Sequence, residues 1–397
     1  MDRHRFRRLW DELAPIGRDR TSGGYLRYAW TAPELACREW FRAQAASRDM
    51  PVEEDGNGNL FAWWQVGADE PAVVTGSHFD SVPHGGAYDG PLGIVSAFLA
   101  VDLLRERRVT PRRPLAVAAF AEEEGSRFGV PCLGSRLLTG AVDPDRAAAL
   151  TDRDGVTLAE ALGAVPAGAR PDLLRRVGVF VELHVEQGRA LVDRDAPVGV
   201  ASAIWPHGRW RFDFRGEGNH AGTTRMADRR DPMLTYAFTV LAANKEARLR
   251  GVHATVGRVE VEPNATNAIP SLVRGWLDAR APDETTLERL VDAVYRKAEE
   301  RAARDGTTIA LTAESVTPLV DFDAALAERI RVLLDAPVLP TGAGHDAGVL
   351  SGHVPTAMLF VRNPTGASHC PAETAGDEDC AAGVVALAAV LEELACR

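Results

Sequence analysis

Four short clusters along the sequence carry histidine and acidic residues, which are common ligands of divalent metals. The clusters are Gly-Ser-His78-Phe-Asp80 with Asp89 soon after, Glu122-Glu123-Glu124, Glu182-Leu-His184-Val-Glu186-Gln187, and Ser368-His369. A donor set of histidine and carboxylate without cysteine suits zinc, manganese, cobalt or nickel. The donors outnumber the ligands of a single tetrahedral ion, which suggests two ions that share a bridging carboxylate, as in two-metal hydrolases.

Each cluster follows a short apolar run that is typical of a buried strand. These runs cover residues 72–76, 115–121, 177–183 and 356–361. In an open α/β sheet, ligands gather at the carboxyl ends of the strands. We therefore expect the four clusters to meet in one crevice although they lie far apart in the chain.

Each cluster also has a simpler interpretation. A single histidine after a strand is usually a satisfied polar residue, and a short acidic run is usually a solvated turn. However, Glu122, Glu123 and Glu124 directly follow a buried strand, where they would repel one another unless a cation or a raised pKa relieved them. The placement of all four clusters at strand ends favours the metal site.

The order of the predicted elements indicates two domains. Strands alternate with helical stretches such as residues 91–107 in the first part, as in a mainly parallel sheet. The middle of the chain is predicted to contain strand, helix, strand, strand, helix and strand in this order. This is the ferredoxin-like arrangement, which can be inserted into a host domain. We predict an α/β fold, with a di-metal domain (1–206 and 319–397) interrupted by an inserted α+β domain (207–318).

Composition restricts the classes of protein that fit. The 397 residues carry a net charge of −11, which disfavours nucleic acid and anionic lipid as partners. The sequence has no apolar run long enough for a membrane span and its first residues lack the pattern of a secretory signal, so we predict a cytoplasmic protein. The 5 cysteines are scattered and form no CxxC pair, which argues against disulfides or a thiolate zinc site.

Six segments give a more specific match: GSHFDSVPHGGAYDGPLGI, EEEGSRFG, VELHVEQG, GNHAGTT, EPNATNAIP and GASHCPAE. In these segments the chain resembles the hydantoinase/carbamoylase subfamily of the M20 metallopeptidase-like amidohydrolases. That subfamily includes N-carbamoyl-L-amino-acid hydrolases, β-ureidopropionases and allantoate amidohydrolases. The match runs in order over nearly the whole chain, and it implies the same interrupted architecture and an enzyme that cleaves ureido groups. It also implies that the first domain is the catalytic one and that the inserted domain serves dimerisation and closure.

The resemblance also implies roles for residues of the first domain. It implies that five residues hold two divalent ions, with Asp89 as the bridge: His78, Asp89, Glu124, His184 and His369. Glu123 would be the general base that takes a proton from the metal-bridging water and later protonates the leaving nitrogen. Asp80 would orient the imidazole of His78.

Substrate recognition, as the resemblance implies it, involves both domains. His220 resembles the histidine that family members offer across a dimer interface to stabilise the oxyanion, which implies a homodimer. Asn267 and Arg280 resemble the pair that grips the substrate carboxylate, and Gln187 would contact the ureido group. Without the resemblance, Asn267 would be interpreted as a turn cap and Arg280 as a surface charge.

We therefore expect a metal-dependent amidohydrolase whose bridging hydroxide attacks the carbamoyl carbon of a ureido acid. Allantoate is slightly favoured over an N-carbamoyl-L-amino acid. The alternatives are an M20 aminopeptidase or dipeptidase, and a non-catalytic, metal-stabilised dimeric binding protein.

Departures from the family pattern are Arg225, in place of the usual proline, and the polar stretch at Arg362 and Asn363. The roles of Arg225 and of the His345-Asp346 pair stay open at this level.

Overall fold

The computed structural model describes residues 3–67 and 70–396, and the chain divides into two compact units. The first unit comprises Met1–Ala203 and Asp321–Arg397, and the second comprises Ile204–Val320. No helix within the described residues has the length and apolar character needed to cross a membrane. The assignment of the two units to catalysis and dimerisation stays a prediction.

The secondary structure comprises helices of very different lengths and mostly short strands. The helices are α1 (Arg3–Leu13), α2 (Ala32–Ala46), α3 (Pro91–Glu106), α4 (Leu133–Thr139), α5 (Pro144–Ala148), α6 (Leu158–Leu162), α7 (Pro171–Leu174), α8 (Ala190–Asp193), α9 (Pro232–Arg250), α10 (Glu284–Asp305), α11 (Ala324–Leu334), α12 (Asp346–Leu350) and α13 (Asp377–Cys396). The strands are β1 (Val52–Glu54), β2 (Leu60–Trp64), β3 (Ala72–His78), β4 (Leu115–Phe120), β5 (Val177–Val185), β6 (Val198–Ile204), β7 (His207–Arg215), β8 (Asn219–His220), β9 (His253–Glu262), β10 (Ala268–Ile269), β11 (Leu272–Arg280), β12 (Thr308–Thr317), β13 (Val320–Asp321), β14 (Val338–Thr341) and β15 (Thr356–Val361). A 3₁₀ turn covers Met226–Asp228.

The large sheet of the first unit has the strand order β1-β2-β4-β3-β5-β15-β6-β13, with β14 beside β6. Its four central strands, β4, β3, β5 and β15, pair in parallel. Antiparallel pairs flank them on both sides. The predicted α/β class with a large, mainly parallel sheet is therefore confirmed, while the antiparallel flanks were not predicted.

Burial on both faces explains the continuous apolar runs of the central strands. Every residue of β3, β4 and β15 is buried, as expected for parallel strands covered by helices on both sides. Helix α3 has Pro91 in its first turn, where the missing N–H costs no hydrogen bond, and most of its residues are buried. Helices α3 and α13 pack against each other and against the sheet.

The direction of the central strands places their carboxyl ends at one edge of the sheet. Strand β3 ends at His78, β4 ends just before the acidic run, and β5 ends one residue after His184. Strand β15 ends eight residues before His369. Parallel pairing therefore brings together the clusters that are distant in sequence.

The second unit contains a four-stranded antiparallel sheet in the order β12-β7-β11-β9. The side chains of β7 alternate between buried and more exposed positions, as the aromatic and charged residues of its sequence predict. Trp210, Phe212 and Phe214 form a core with residues of α9, α10 and β11. Strands β8 and β10 form a separate two-stranded antiparallel sheet. Strand β8, which follows β7 in the chain, contains His220.

Candidate metal centre

Five predicted ligands form two groups that share Asp89. One group contains His78, Asp89 and His184, the other contains Asp89, Glu124 and His369, and within each group the ligand atoms lie within 4.8 Å of one another. Asp89 Oδ1 lies 3.5 Å from His78 Nε2 and 3.2 Å from His184 Nε2. Its Oδ2 lies 3.3 Å from His369 Nε2. The two carboxylate oxygens therefore face different histidines, as a bridging ligand requires.

Backbone carbonyls fix the orientation of two of these imidazoles. His184 Nδ1 lies 2.9 Å from the carbonyl oxygen of Val185, and His78 Nδ1 lies 3.0 Å from that of Asp80. A carbonyl only accepts hydrogen bonds, so in the neutral ring the proton is on Nδ1 and the Nε2 lone pair faces Asp89. His78 Nε2 is buried without a hydrogen-bond partner. Lone pairs facing a carboxylate are a donor set that fits a divalent cation.

A glycine is required where the bridging carboxylate meets His78. Gly90, directly after Asp89, has a φ of 83° and precedes the first turn of α3. A Cβ atom at this position would lie 2.5 Å from the imidazole of His78. Any larger residue would therefore displace the histidine or the Asp89 loop.

The acidic run places two carboxyl groups close to the histidines. Glu123 Oε2 lies 3.6 Å from His78 Nε2, and Cys132 Sγ donates to Glu123 Oε1 at 3.5 Å. Burial raises the pKa of Glu123 well above its usual range, although His78 opposes the shift. Burial, together with the charge of Asp89, raises the pKa of Glu124 to about 7. Divalent cations would relieve this crowding of buried acids.

Burial and hydrogen bonds also shift the pKa values of His369 and Asp89. The hydrogen bond to Asp89 raises the pKa of His369 to about 9, against the effect of burial. Burial would raise the pKa of Asp89, but its histidine partners, His184 first, hold it well below the usual range. Without a metal ion, the residues that would bind a cation therefore hold protons. Metal binding would release these protons.

Asp80 makes contacts that differ from the predicted ones. Its carbonyl, not its carboxylate, accepts the hydrogen bond of His78 Nδ1. Its carboxylate accepts the backbone N–H groups of Glu123 at 3.1 Å and Glu124 at 3.0 Å. Asp80 therefore links the end of β3 to the acidic turn, a contact that the sequence pattern did not indicate.

Gln187 lies at the centre, and Glu122 turns away from it. Gln187 Nε2 donates to Asp89 Oδ2 at 2.9 Å, while its Oε1 is buried without a partner.

Glu122 has a φ of 54°, and its Oε1 accepts the backbone N–H groups of Arg127 and Phe128. The first acid of the run therefore stabilises a turn.

Two further residues beside the centre were not assigned a role from the sequence. Glu373 Oε1 accepts the backbone N–H groups of Tyr88 and Asp89, which anchors the loop of the bridging carboxylate. The ring of His345 lies 4.6 Å from that of His184, centroid to centroid. The GASHCPAE segment contains Glu373, and His345 was noted as part of a polar pair, but neither signal indicated these contacts.

His220 and Asn267 lie together in the second unit. His220 is exposed and lies opposite Ala268 in the β8–β10 pair. The N–H of Ala221, which follows His220, donates to the carbonyl of Asn267 at 3.0 Å. His220 Nδ1 accepts the N–H groups of the two residues that follow Ala221. In the neutral ring the proton is therefore on Nε2, which makes this atom a donor.

Arg280 lies at the other end of β11 from these two residues. Strand β11 begins five residues after Asn267 and ends at Arg280, so its nine residues span about 26 Å at ~3.3 Å per residue. Arg280 pairs with His207 and donates to Asp278 Oδ1 at 3.0 Å. Within one copy of the second unit, the structure does not bring Arg280 to Asn267. Arg225 is exposed and forms an ion pair with Asp228.

A mainly parallel α/β sheet with histidines and carboxylates at its carboxyl edge is an arrangement that fits the class of metal-dependent hydrolases. The sequence model of peptidase family M20/M25/M40 matches residues 74–393, and the chain belongs to this family. It is 36% identical to the N-carbamoyl-L-amino acid amidohydrolase of Geobacillus stearothermophilus, over 98% of both chains. It is 33% identical to the allantoate amidohydrolase of Escherichia coli K12, again over 98% of both.

Solved structures agree with this assignment. A hydantoinase/carbamoylase family amidase from Burkholderia multivorans superposes with a TM-score of 0.88 at 31% identity, covering 100% of this chain and 98% of that one. AtUAH in complex with (S)-hydroxyglycine gives a TM-score of 0.85 at 29% identity, covering 99% and 98%. The predicted membership of the M20 hydrolases, with the hydantoinase/carbamoylase amidases as relatives, is confirmed.

Proposed function

We propose that this protein is a metal-dependent amidohydrolase that cleaves the ureido carbon–nitrogen bond of a ureido acid, either allantoate or an N-carbamoyl-L-amino acid. The observation that carries the proposal is Asp89, whose two carboxylate oxygens face different histidines. The relatives that match nearly the whole chain include amidohydrolases for both kinds of substrate.

The two ligand groups would hold two divalent ions, zinc, manganese, cobalt or nickel, with Asp89 shared between them. Bound ions of this kind acidify a water molecule and polarise the scissile carbonyl. Glu123 faces the same space as His78 Nε2 and would accept the proton of the attacking water. It would then return this proton to the leaving nitrogen, while Cys132 Sγ holds one of its oxygens in place.

Gln187 is suited to bind the ureido group. Its amide nitrogen is held by Asp89, which leaves the carbonyl oxygen Oε1 as an acceptor without a partner. A buried acceptor of this kind is costly unless a ligand or water satisfies it. An N–H group of the substrate would provide the missing donor.

We propose further that the second unit is a ferredoxin-like domain for dimerisation and closure. His220 Nε2 would donate to the oxyanion, and Asn267 and Arg280 would bind the substrate carboxylate. In one chain Arg280 is separated from His220 by the length of β11, which exceeds the length of allantoate or of N-carbamoylglycine. Both residues can touch one substrate only if two copies of the chain contribute them, which supports a homodimer.

The surface of α9 also supports a second copy. Leu234, Leu241 and Leu249 are 46%, 71% and 69% exposed, and their spacing places them on one side of the helix. Exposed apolar rows of this kind are typical of protein interfaces. Measuring the mass of the purified protein in solution tests this part of the proposal.

Ammonia release tests the reaction itself. The protein is treated with a chelator, reloaded separately with manganese, zinc, cobalt or nickel, and incubated with allantoate and a panel of N-carbamoyl-L-amino acids. We expect release with at least one metal and none after chelation. Dipeptides serve as the comparison, because their hydrolysis would indicate an aminopeptidase or dipeptidase. No turnover of any compound would contradict the proposal and favour a dimeric binding protein.

A further inference from the structure

Glu373 joins the turn that follows His369 to the loop that carries Asp89. Its Oε1 atom accepts the backbone N–H groups of Tyr88 at 2.9 Å and of Asp89 at 3.0 Å. The N–H of Glu373 itself donates to the carbonyl of Cys370 at 3.1 Å, which closes a turn directly after His369. Only 5% of Glu373 is exposed, so water cannot readily replace its carboxylate as the acceptor. Two proposed metal ligands from distant segments therefore depend on one buried carboxylate.

The backbone of the Asp89 loop lies directly against this carboxyl group. A Cβ atom at Gly86 would lie 2.2 Å from Cδ and Oε1 of Glu373, so only glycine fits there. The residues that follow Asp89 are held differently, because Gly90 directly precedes α3. Glu373 therefore fixes the part of the loop that comes before the bridging carboxylate.

The proposed ligands differ in how firmly the fold supports them. The first ligand group is His78, Asp89 and His184, and the second ligand group is Asp89, Glu124 and His369. Both histidines of the first group are fully buried on strands, and backbone carbonyls fix their rings. All three members of the second group lie outside helices and strands, and the side chain of its histidine is 50% exposed. Because loop positions move more easily than strand positions, the second group needs more support from its surroundings.

We propose that Glu373 is a positioning residue for the second ion, the one that the second ligand group would hold. The inference rests on the proposed function, since it takes the pair of ions from it. Both Asp89 and His369 lie in the segments that Glu373 joins, whereas the first group has only Asp89 there. Removing the carboxylate would leave the N–H groups of Tyr88 and Asp89 buried without an acceptor, and the loop would move to satisfy them. The second ion should then bind more weakly, while the first ion is largely unaffected.

Zinc binding to the metal-free protein tests the proposal without any substrate. Isothermal titration calorimetry gives the affinity of each ion, and elemental analysis gives the number of ions bound. We expect the unmodified protein to bind two ions. In Glu373→Ala the second ion should bind about 10- to 100-fold more weakly, the usual cost of losing a residue that orients metal ligands, and the first should change less than about threefold.

A second background shows which ion responds. His369→Ala removes a ligand of the second group, so the ion that remains should be the first one. Adding Glu373→Ala to this variant should not weaken the remaining ion further. If it does, Glu373 acts on the first ion as well, and the proposal is overturned.

Three single variants separate positioning from general damage. Glu373→Gln keeps Oε1 as the acceptor and places its –NH2 where Oε2 has no hydrogen-bond partner, so it should retain both ions. Gly86→Ala should reproduce the loss, because the added Cβ displaces the Glu373 carboxyl group. Glu186→Ala is the matched control, since Glu186 is also 5% exposed and accepts the backbone N–H groups of Ala190 and Leu191. It should bind both ions as the unmodified protein does.

The outcomes for the inference and for the proposed function can be told apart. Fewer than two ions in the unmodified protein would contradict the proposed pair of ions and the inference with it. Ammonia release from ureido compounds tests the reaction independently. If two ions bind and ureido compounds are hydrolysed, but Glu373→Ala leaves the second ion unchanged or weakens both ions equally, only the inference about Glu373 is wrong.

Discussion

The imidazole of His78 is held by the backbone of Asp80, whose carbonyl oxygen lies 3.0 Å from Nδ1, while Oδ1 of the Asp80 carboxylate lies 3.6 Å away. The carboxylate is therefore free to accept the N–H groups of Glu123 and Glu124. It joins the end of β3 to the turn that carries the proposed base and one proposed ligand.

This relationship predicts the effect of Asp80→Asn. An asparagine keeps one acceptor oxygen but places an –NH2 group against the second backbone N–H, so one of the two hydrogen bonds is lost. We expect amide hydrogen exchange in residues 122–128 of the metal-free protein to become about tenfold faster, because bonds to charged acceptors are among the stronger ones. Hydrogen-exchange mass spectrometry measures the change.

Strand β3 provides the internal control for this experiment. Its amides pair with β4 and β5 and should exchange as slowly in Asp80→Asn as in the original protein. Faster exchange throughout β3 would show that the substitution loosens the whole sheet. Unchanged exchange in residues 122–128 would mean that the carboxylate does not hold the turn.

Adjacent acids in the turn should respond differently to the same substitution. Glu123→Gln removes the proposed base but keeps the shape of the side chain, so turnover should fall by about 10²–10⁴-fold while both ions stay bound. Glu124→Gln removes a proposed ligand, so the protein should retain fewer ions. Kinetics and metal analysis on both variants check this prediction. Full activity of Glu123→Gln with both ions bound would refute the assigned base.

The elements that carry the site could be predicted because burial leaves a clear pattern in the sequence. The central strands β3, β4, β5 and β15 appear as apolar runs, and the rule that ligands gather at the carboxyl ends of strands places His78, His184 and the acidic run together. The flanking strand β1 did not stand out, because its three partly exposed residues form no apolar run.

Contacts that depend on loop geometry could not be predicted. Glu122 and His369 both adopt positive φ values, and the sequence pattern did not indicate that either residue would do so. The turn at Glu122 directs this acid to backbone N–H groups and leaves the next two at the centre. The contact of Glu373 with the Asp89 loop joins two segments far apart in the chain, so no local spacing reveals it.

Mixing two inactive variants tests whether one substrate site uses two chains. His220→Ala and Arg280→Ala should each be nearly inactive alone. If each site takes these two residues from different chains, a mixed dimer has one intact site out of two. Random pairing of the two variants makes half of the dimers mixed. Co-expressing the variants should then restore about a quarter of the original activity. No recovery in purified mixed dimers would mean that one chain supplies both residues.

Asp346 should make the stability of the metal-free protein depend on pH. Burial, reinforced by the charge of Glu182, raises the pKa of Asp346 to about 8, while Ser135 Oγ donates to Oδ1 at 2.5 Å. An unfolded aspartate has a pKa of about 3.9. The folded state therefore holds this proton more tightly, so the contribution to stability is complete below about pH 4 and is lost as the pH rises through about 8.

Asp346→Asn removes this titration while its amide oxygen can still accept from Ser135. The stability of the variant relative to the original protein should therefore grow from pH 5 to about pH 8 and then level off, since each unit of pKa shift corresponds to about 1.4 kcal/mol. Urea unfolding midpoints across this range measure the difference, with the exposed Asp145→Asn as the matched control. A constant difference at every pH would contradict a protonated, buried Asp346, because only a group that titrates differently in the folded and unfolded states can make the two curves diverge.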